Sequence, residues 1–211
     1  MRLITTVVSK FNLNKIEEMI DFCDSLGVDV ISLLQFIPEG NGEENDYSIN
    51  PRETVDLIKR LSFMNLENKQ IRIVPKFANP VAHDYAKVVL KRYFPETTSM
   101  CGAGDEFFYI NNKGELYPCD RARETINEKI PNENRLLVKK DFWEVASHPL
   151  YGEIFGESEN IETYSEYTPC NRCEYLQKKC YPCVMRKKTT EVKTCTIMFK
   201  EIDNEKNRIA N

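Results

Sequence analysis

The sequence holds 211 residues, 41% of them hydrophobic, with 33 acidic against 29 basic residues and a formal net charge of -4. That length can bury a sizeable core, and the acidic balance offers no footprint for a phosphate backbone, so nucleic acid is excluded as a partner. No stretch approaches the ~20 consecutive apolar residues of a membrane helix. The run from Leu3 to Val8 stops at Ser9 and Lys10, too early for a signal-peptide core, so a cytoplasmic protein without a membrane partner is expected.

Leu3 to Val8 is apolar and β-branched, which predicts a buried strand. Asn14 with Glu17 three residues later makes a capping pair for a helix whose apolar face is Ile16, Met19, Ile20, Cys23 and Leu26. Gly27 suits the left-handed turn that ends it. Val28 to Phe36 reads as a second buried strand, broken by Ile37-Pro38-Glu39-Gly40-Asn41-Gly42. Asn50-Pro51-Arg52-Glu53 then combines an N-cap, proline at the first helical position and a glutamate at the third, with Val55, Ile58, Leu61 and Met64 as the apolar face. Ile71 to Pro75 offers a third strand. Strand, helix, strand, helix, strand is the grammar of a parallel α/β sheet.

Only Cys23 lies in the first hundred residues, whereas seven cysteines fall between Cys101 and Cys195, placing a boundary near residues 95 to 101. Beyond it, Glu106 to Ile110 and Glu115 to Cys119 flank Asn111-Asn112-Lys113-Gly114, the pattern of a β-hairpin. Asp141 caps a short helix containing Trp143. Past Ser158 the chain reads as polar loop, with so little apolar material that a bound metal centre is expected to substitute for a core.

In a reducing compartment eight cysteines call for metal or redox chemistry before disulfides. Their spacing is Cys101-x12-Gly114-x4-Cys119, a long gap, then Cys170-x2-Cys173-x6-Cys180-x2-Cys183 and, after eleven more residues, Cys195. Read as spacing alone, Cys170, Cys173, Cys180 and Cys183 could form an all-thiolate zinc site. That reading leaves Cys101, Cys119 and Cys195 without a role.

The full pattern resembles the seven-cysteine SPASM module, the C-terminal part of radical S-adenosylmethionine (SAM) enzymes that modify peptides and proteins. The likeness extends to Cys101-Gly-Ala-Gly, to the stretch from Tyr109 to Asp120 and to Phe142-Trp-Glu-Val with His148-Pro-Leu. Thr5-Thr6-Val7-Val8 and Gln35-Phe36-Ile37-Pro38-Glu39-Gly40 are similar to the fifth and sixth strands of the radical SAM partial barrel. The resemblance implies an α/β chain in which residues 1–95 are the C-terminal strands and helices of a partial (β/α) barrel. Residues 96–211 are then an auxiliary-cluster domain with a β-hairpin and short helices.

By the same resemblance two [4Fe–4S] clusters are expected, since each needs four corner ligands, normally thiolates. Cys170, Cys173, Cys180 and Cys195 would hold the distal one, and Cys101, Cys119 and Cys183 the one nearer the barrel. Gln35, Pro38 and Gly40 would face SAM, and Asp120 would be a general base taking a proton from a peptide or protein substrate as its radical is oxidised. As an ordinary strand-end carboxylate Asp120 would have no such role. Cys23, on an apolar helix face, reads as a small hydrophobe, and His83 and His148 read as surface or capping residues.

Three departures qualify the match. The last cysteine pairs are spaced by six and two residues where the family usually has five and three. Residues 94 to 100 hold no eighth cysteine, so the nearer cluster is expected to keep one iron without a thiolate. Finally, the CxxxCxxC loop that binds the SAM-cleaving cluster is absent, and four barrel strands that precede Leu3 in the family are not here. The resemblance therefore implies that SAM is a cofactor only of the complete enzyme. The chain is expected to be the C-terminal part of a longer or interrupted protein, or one half of a split enzyme whose partner chain carries the SAM cluster. Two other readings are a non-catalytic electron-transfer or substrate-docking subunit and a zinc-stabilised interaction module.

The missing motif generates a direct expectation: the isolated chain, fully reconstituted and reduced, forms no 5′-deoxyadenosine from SAM, as chromatography of the reaction mixture would reveal.

Overall fold

The computed structural model describes residues 1–38, 47–64, 69–96, 107–120, 122–123, 142–143, 147, 149, 169–176, 178–180 and 189–210. These fall into two units, one made of Met1–Ser99, Tyr167–Cys180 and Lys188–Asn211, the other of Met100–Glu166 and Tyr181–Lys187.

In the first unit, aliphatic runs separated by helices pair as a parallel sheet. Strand β1 (Leu3–Val8) runs beside β2 (Val30–Gln35), and β2 beside β3 (Arg72–Pro75), in the order β1-β2-β3. The register sets Leu3 against Val30 and Val8 against Gln35, and sets Val30 against Arg72. Helix α1 (Ile16–Ser25) links the first pair and α2 (Pro51–Phe63) the second, as parallel strands require a crossover.

β1 has its expected extent but not its expected burial. It stands at the edge of the sheet, with Leu3 54% and Val7 45% exposed and only Val8 fully buried. A β-branched run suits an edge as well as a centre; the neighbouring strands decide which it becomes.

The entry to α1 also differs from expectation. A 3-10 turn, Leu13–Lys15, takes up Asn14, and no side chain caps α1. The preceding bend is held by Asn12, whose Oδ1 accepts from Ser9 N at 2.9 Å and whose Nδ2 donates to the Val7 carbonyl at 2.8 Å. Ile16, Ile20 and Cys23 are buried as the periodicity indicates, while Leu26 is exposed. Gly27, at φ 68°, turns the chain so that Val28 N reaches back to the Cys23 carbonyl. Asp24 Oδ1 then accepts from Gln70 N and Ile71 N, both at 3.0 Å, joining the end of α1 to the start of β3.

α2 begins with the expected capping box: Asn50 Oδ1 accepts from Arg52 N and Glu53 N, and the Glu53 carboxylate accepts from Asn50 N. Its buried face carries Val55, Leu57, Ile58 and Leu61. Next comes α3 (Pro80–Tyr85), capped by Asn79 and continued by a π-helical turn, Ala86–Leu90. His83 lies inside this helix.

The largest departure lies near the C-terminus, where loop was expected and the chain forms α4 (Thr189–Ala210), a 22-residue helix. Thr194, Met198 and Ile202 are buried, and Met198 and Ile202 join the same apolar cluster as Ile16, Ile31, Ile58 and Tyr85. Cys195 and Phe199 pack beside them, so that Cys195, Met198, Phe199 and Ile202 stand at the i, i+3, i+4 and i+7 positions of an ordinary amphipathic face, a period present in the sequence within a segment otherwise rich in cysteine and polar residues. α4 packs on α2 and α3, and Glu201 accepts from Tyr85 Oη at 2.7 Å with Lys59 Nζ at 3.7 Å. That packing groups the late segments with Met1–Ser99, although the composition changes near residues 95 to 101.

The second unit contains a short antiparallel pair, β4 (Tyr109–Ile110) with β5 (Leu116–Tyr117). Asn111 Oδ1 accepts from Lys113 N and Glu115 N, and Gly114 at φ 78° completes the turn. Leu116 and Tyr117 are buried. Phe142 lies edge-on to Phe108 at 5.3 Å and to Trp143 at 5.2 Å. Phe142 and Trp143 are helical; the expected cap at Asp141 lies outside the described residues.

Two substitutions in α2 separate cap from core. Asn50→Ala is expected to lower stability by ~1 kcal/mol and Ile58→Ala by ~2–5 kcal/mol, read from urea unfolding midpoints.

Candidate metal centre

Cys170, Cys173 and Cys180 lie on one hydrogen-bonded loop. A 3-10 turn, Cys170–Arg172, brings Cys173 N to the Cys170 carbonyl at 3.0 Å, and Leu176 N reaches the Cys173 carbonyl at 3.2 Å. The Tyr175 carbonyl accepts from Lys178 N, Lys179 N and Cys180 N at 2.9 to 3.1 Å, and Leu176 bridges to Cys180. Two successive turns thus present thiols at both ends of a short segment whose remaining side chains are mostly polar.

The loop is tied to the helices of the first unit by side chains. Tyr175 Oη donates to Asp84 Oδ2 of α3 at 2.5 Å, and Arg172 Nη2 meets Asp203 Oδ2 of α4 at 3.2 Å. Lys179 Nζ lies 3.4 Å from Glu96 Oε2. The last two are exposed ion pairs worth little; the half-buried tyrosine is the stronger anchor. Burial, followed by the bond to Asp84, pushes the Tyr175 phenol above its ordinary ionisation range.

Cys195 comes from α4 and packs against the apolar core, where Asn79 Nδ2 lies 3.1 Å from its sulfur. In the second unit, Cys119 follows the hairpin directly and its sulfur accepts from Ala122 N at 3.3 Å. Asp120 beside it is exposed, and its carbonyl is 3.4 Å from Arg123 N. Cys101 and Cys183 lie outside the described residues. Cys23, 3% exposed in α1, is a core residue, in keeping with the reading of its helix face.

Cys119, Cys170, Cys173, Cys180 and Cys195 form no disulfide among the described residues. Among the described residues no three Cys, His, Asp or Glu side chains stand together as a ready-made metal site. The donor chemistry nevertheless fits an iron–sulfur cluster: besides the core residue Cys23, the first unit carries the four thiols Cys170, Cys173, Cys180 and Cys195, and N–H groups point at the Cys119 and Cys195 sulfurs. An all-thiolate zinc site has the same donor set. His83 is engaged elsewhere, with Nδ1 2.7 Å from the Phe94 carbonyl.

The residues expected to face SAM begin at the C-terminal end of β2. Gln35 is its last residue and stands opposite Val8; Pro38 follows shortly after, and Gly40 lies outside the described residues. At the same end of the sheet Tyr47 lies against Phe11, ring centroids 4.4 Å apart and planes tilted by 45°, and meets Phe36 edge-on at 6.0 Å. Ligands of parallel α/β sheets bind at this end. Reading the sequence did not single out this aromatic trio, nor Asn79, Asp84 and Tyr175 near the thiols. Only Asn79-Pro80 carried a local signal, an N-cap followed by proline.

No protein-family model and no curated protein matches the sequence. Solved structures do. SuiB of Streptococcus suis bound to S-adenosylmethionine aligns with 87% of this chain and 40% of its own, at 17% identity and a TM-score of 0.55. Native anSMEcpe with bound AdoMet aligns with 97% of this chain and 54% of its own, at 14% identity and a TM-score of 0.53. The chain therefore spans about half the length of these proteins or less, and the likeness is one of fold: a mixed α/β architecture with a parallel sheet. No helix among the described residues is long and apolar enough to cross a membrane.

Tyr175→Phe tests the loop anchor. It is expected to lower stability by ~1–2 kcal/mol at neutral pH through loss of a hydrogen bond to a carboxylate. Because the fold holds the phenol neutral, its contribution is complete below the ordinary tyrosine value of about 10 and is lost as pH rises past it. Unfolding midpoints measured at rising alkaline pH should therefore fall less steeply in the variant.

Proposed function

We propose that the chain is the C-terminal part of a radical SAM enzyme of the SPASM type and binds two auxiliary [4Fe–4S] clusters that support radical modification of a peptide or protein. The observation that carries this reading is the seven-cysteine spacing, in which four of the thiols, Cys170, Cys173, Cys180 and Cys195, fall in one unit beside a parallel α/β sheet. The fold of two proteins solved with bound SAM supports it.

Cys170, Cys173, Cys180 and Cys195 would hold the distal cluster, and Cys101, Cys119 and Cys183 the one nearer the barrel. When bound, such clusters supply one-electron acceptance at potentials set by their ligands and surroundings. Asp84 and Tyr175 would fix the cysteine loop, and Asp120, exposed next to Cys119, would take the proton released as a substrate radical is oxidised. Gln35, Pro38 and Gly40, at and beyond the C-terminal end of β2, would lie on the SAM side. The CxxxCxxC segment that cleaves SAM would be supplied from outside these 211 residues, by the same polypeptide or by a partner chain, in a reducing cytoplasm.

Anaerobically prepared and reconstituted protein should be brown and carry about eight irons and eight sulfides per chain. A colourless protein with zinc and negligible iron would replace this reading with that of a zinc-stabilised interaction module.

A further inference from the structure

Among the partners of the thiols, one side-chain amide has its orientation settled by the backbone. Asn79 caps α3: its Oδ1 accepts from Val81 N at 3.0 Å. An asparagine amide has one oxygen and one nitrogen, so committing the oxygen to the cap leaves the Nδ2 hydrogens to point the other way. They meet Cys195 Sγ at 3.1 Å.

Pro80 at the first helical position fixes the backbone next to the amide. The other side of the contact is equally constrained, since Cys195 sits one residue from buried Thr194 and one turn before buried Met198 on α4, which packs on α3. Neither partner needs to move for the contact to persist, and it is half-buried, where a hydrogen bond is electrostatically stronger than in water.

We infer that Asn79 is a positioning residue that sets the reduction potential of the centre held by Cys195, by donating an N–H···S hydrogen bond to that sulfur. The inference rests on the iron–sulfur reading above. A donor at a ligating thiolate withdraws electron density and favours the more negative, reduced state, so the bond raises the potential. The same bond holds the Cys195 side chain against the sheet-bearing part of the unit. The sulfur of Cys119, by contrast, receives a backbone N–H, which substitution of side chains leaves in place.

The test uses Asn79→Asp and Asn79→Ser, because aspartate and serine both cap helices well while neither presents an amide to the sulfur. Reconstituted wild-type and variant proteins would be titrated potentiometrically, with iron content and thermal unfolding measured alongside. In Asn79→Ser one of the two redox transitions should move toward the oxidised side by about tenfold in the oxidised-to-reduced ratio at fixed potential, equivalent to about 59 mV for one electron. Asn79→Asp should move the same transition further, and the other transition should stay in place.

Should a variant fail to fold, electron–nuclear double resonance of reduced wild-type protein labelled with 15N-asparagine should detect a nitrogen coupled to one cluster. Iron-loaded protein whose transitions both stay put, or which shows no such coupling, would make Asn79 a helix cap alone and overturn the inference while leaving the iron–sulfur reading intact. Wild-type protein that takes up no iron would defeat both.

Discussion

Met198 and Ile202 carry no chemistry, yet their burial against α2 and α3 decides where one of the cysteines stands. Both lie on α4 with Cys195, which comes one turn before Met198, so the apolar stripe that docks the helix also fixes the thiol. The Tyr85–Glu201 hydrogen bond secures the same contact from the polar side. Because a helix is rigid over a few turns, anchoring two buried residues of one helix also orients a third on the same face.

The loop from Cys170 to Cys180 depends on the same packing in a different way. It has little apolar surface, and turns hold it together internally while Tyr175 and Arg172 tie it to Asp84 and Asp203. Polar anchors of this kind restrict a loop at small energetic gain, and a bound metal adds the larger share wherever ligands are gathered from a weak core. The expected scarcity of apolar material past Ser158 describes this loop, whereas α4 has an ordinary apolar contact.

The sheet contributes the other half of the architecture. Its three parallel strands end together near Val8, Gln35 and Pro75, and Phe11, Phe36 and Tyr47 gather beyond those ends. The opposite feature is β1, whose outer edge and apolar side chains face solvent. An exposed edge keeps unpaired backbone groups available, in contrast to the interior β2, which pairs on both sides.

Strong local signals were legible in the sequence because they need only neighbours along the chain. The capping box at Asn50 and Glu53, the left-handed turn at Gly27 and the Asn111–Gly114 turn are of this kind, as are the β2 and β3 runs and the burial of Cys23 through its 3.6-residue period. Cysteine spacing likewise set the late cysteines apart from Cys23 without a structure. Tertiary structure alone decided that β1 is an edge and that Asn12 rather than Asn14 holds the entry to α1. It also brought Asn79 to Cys195 and Asp84 to Tyr175, pairs separated by 116 and 91 residues. Such contacts leave no periodicity behind, because a single hydrogen bond acquires meaning only when distant segments are packed together.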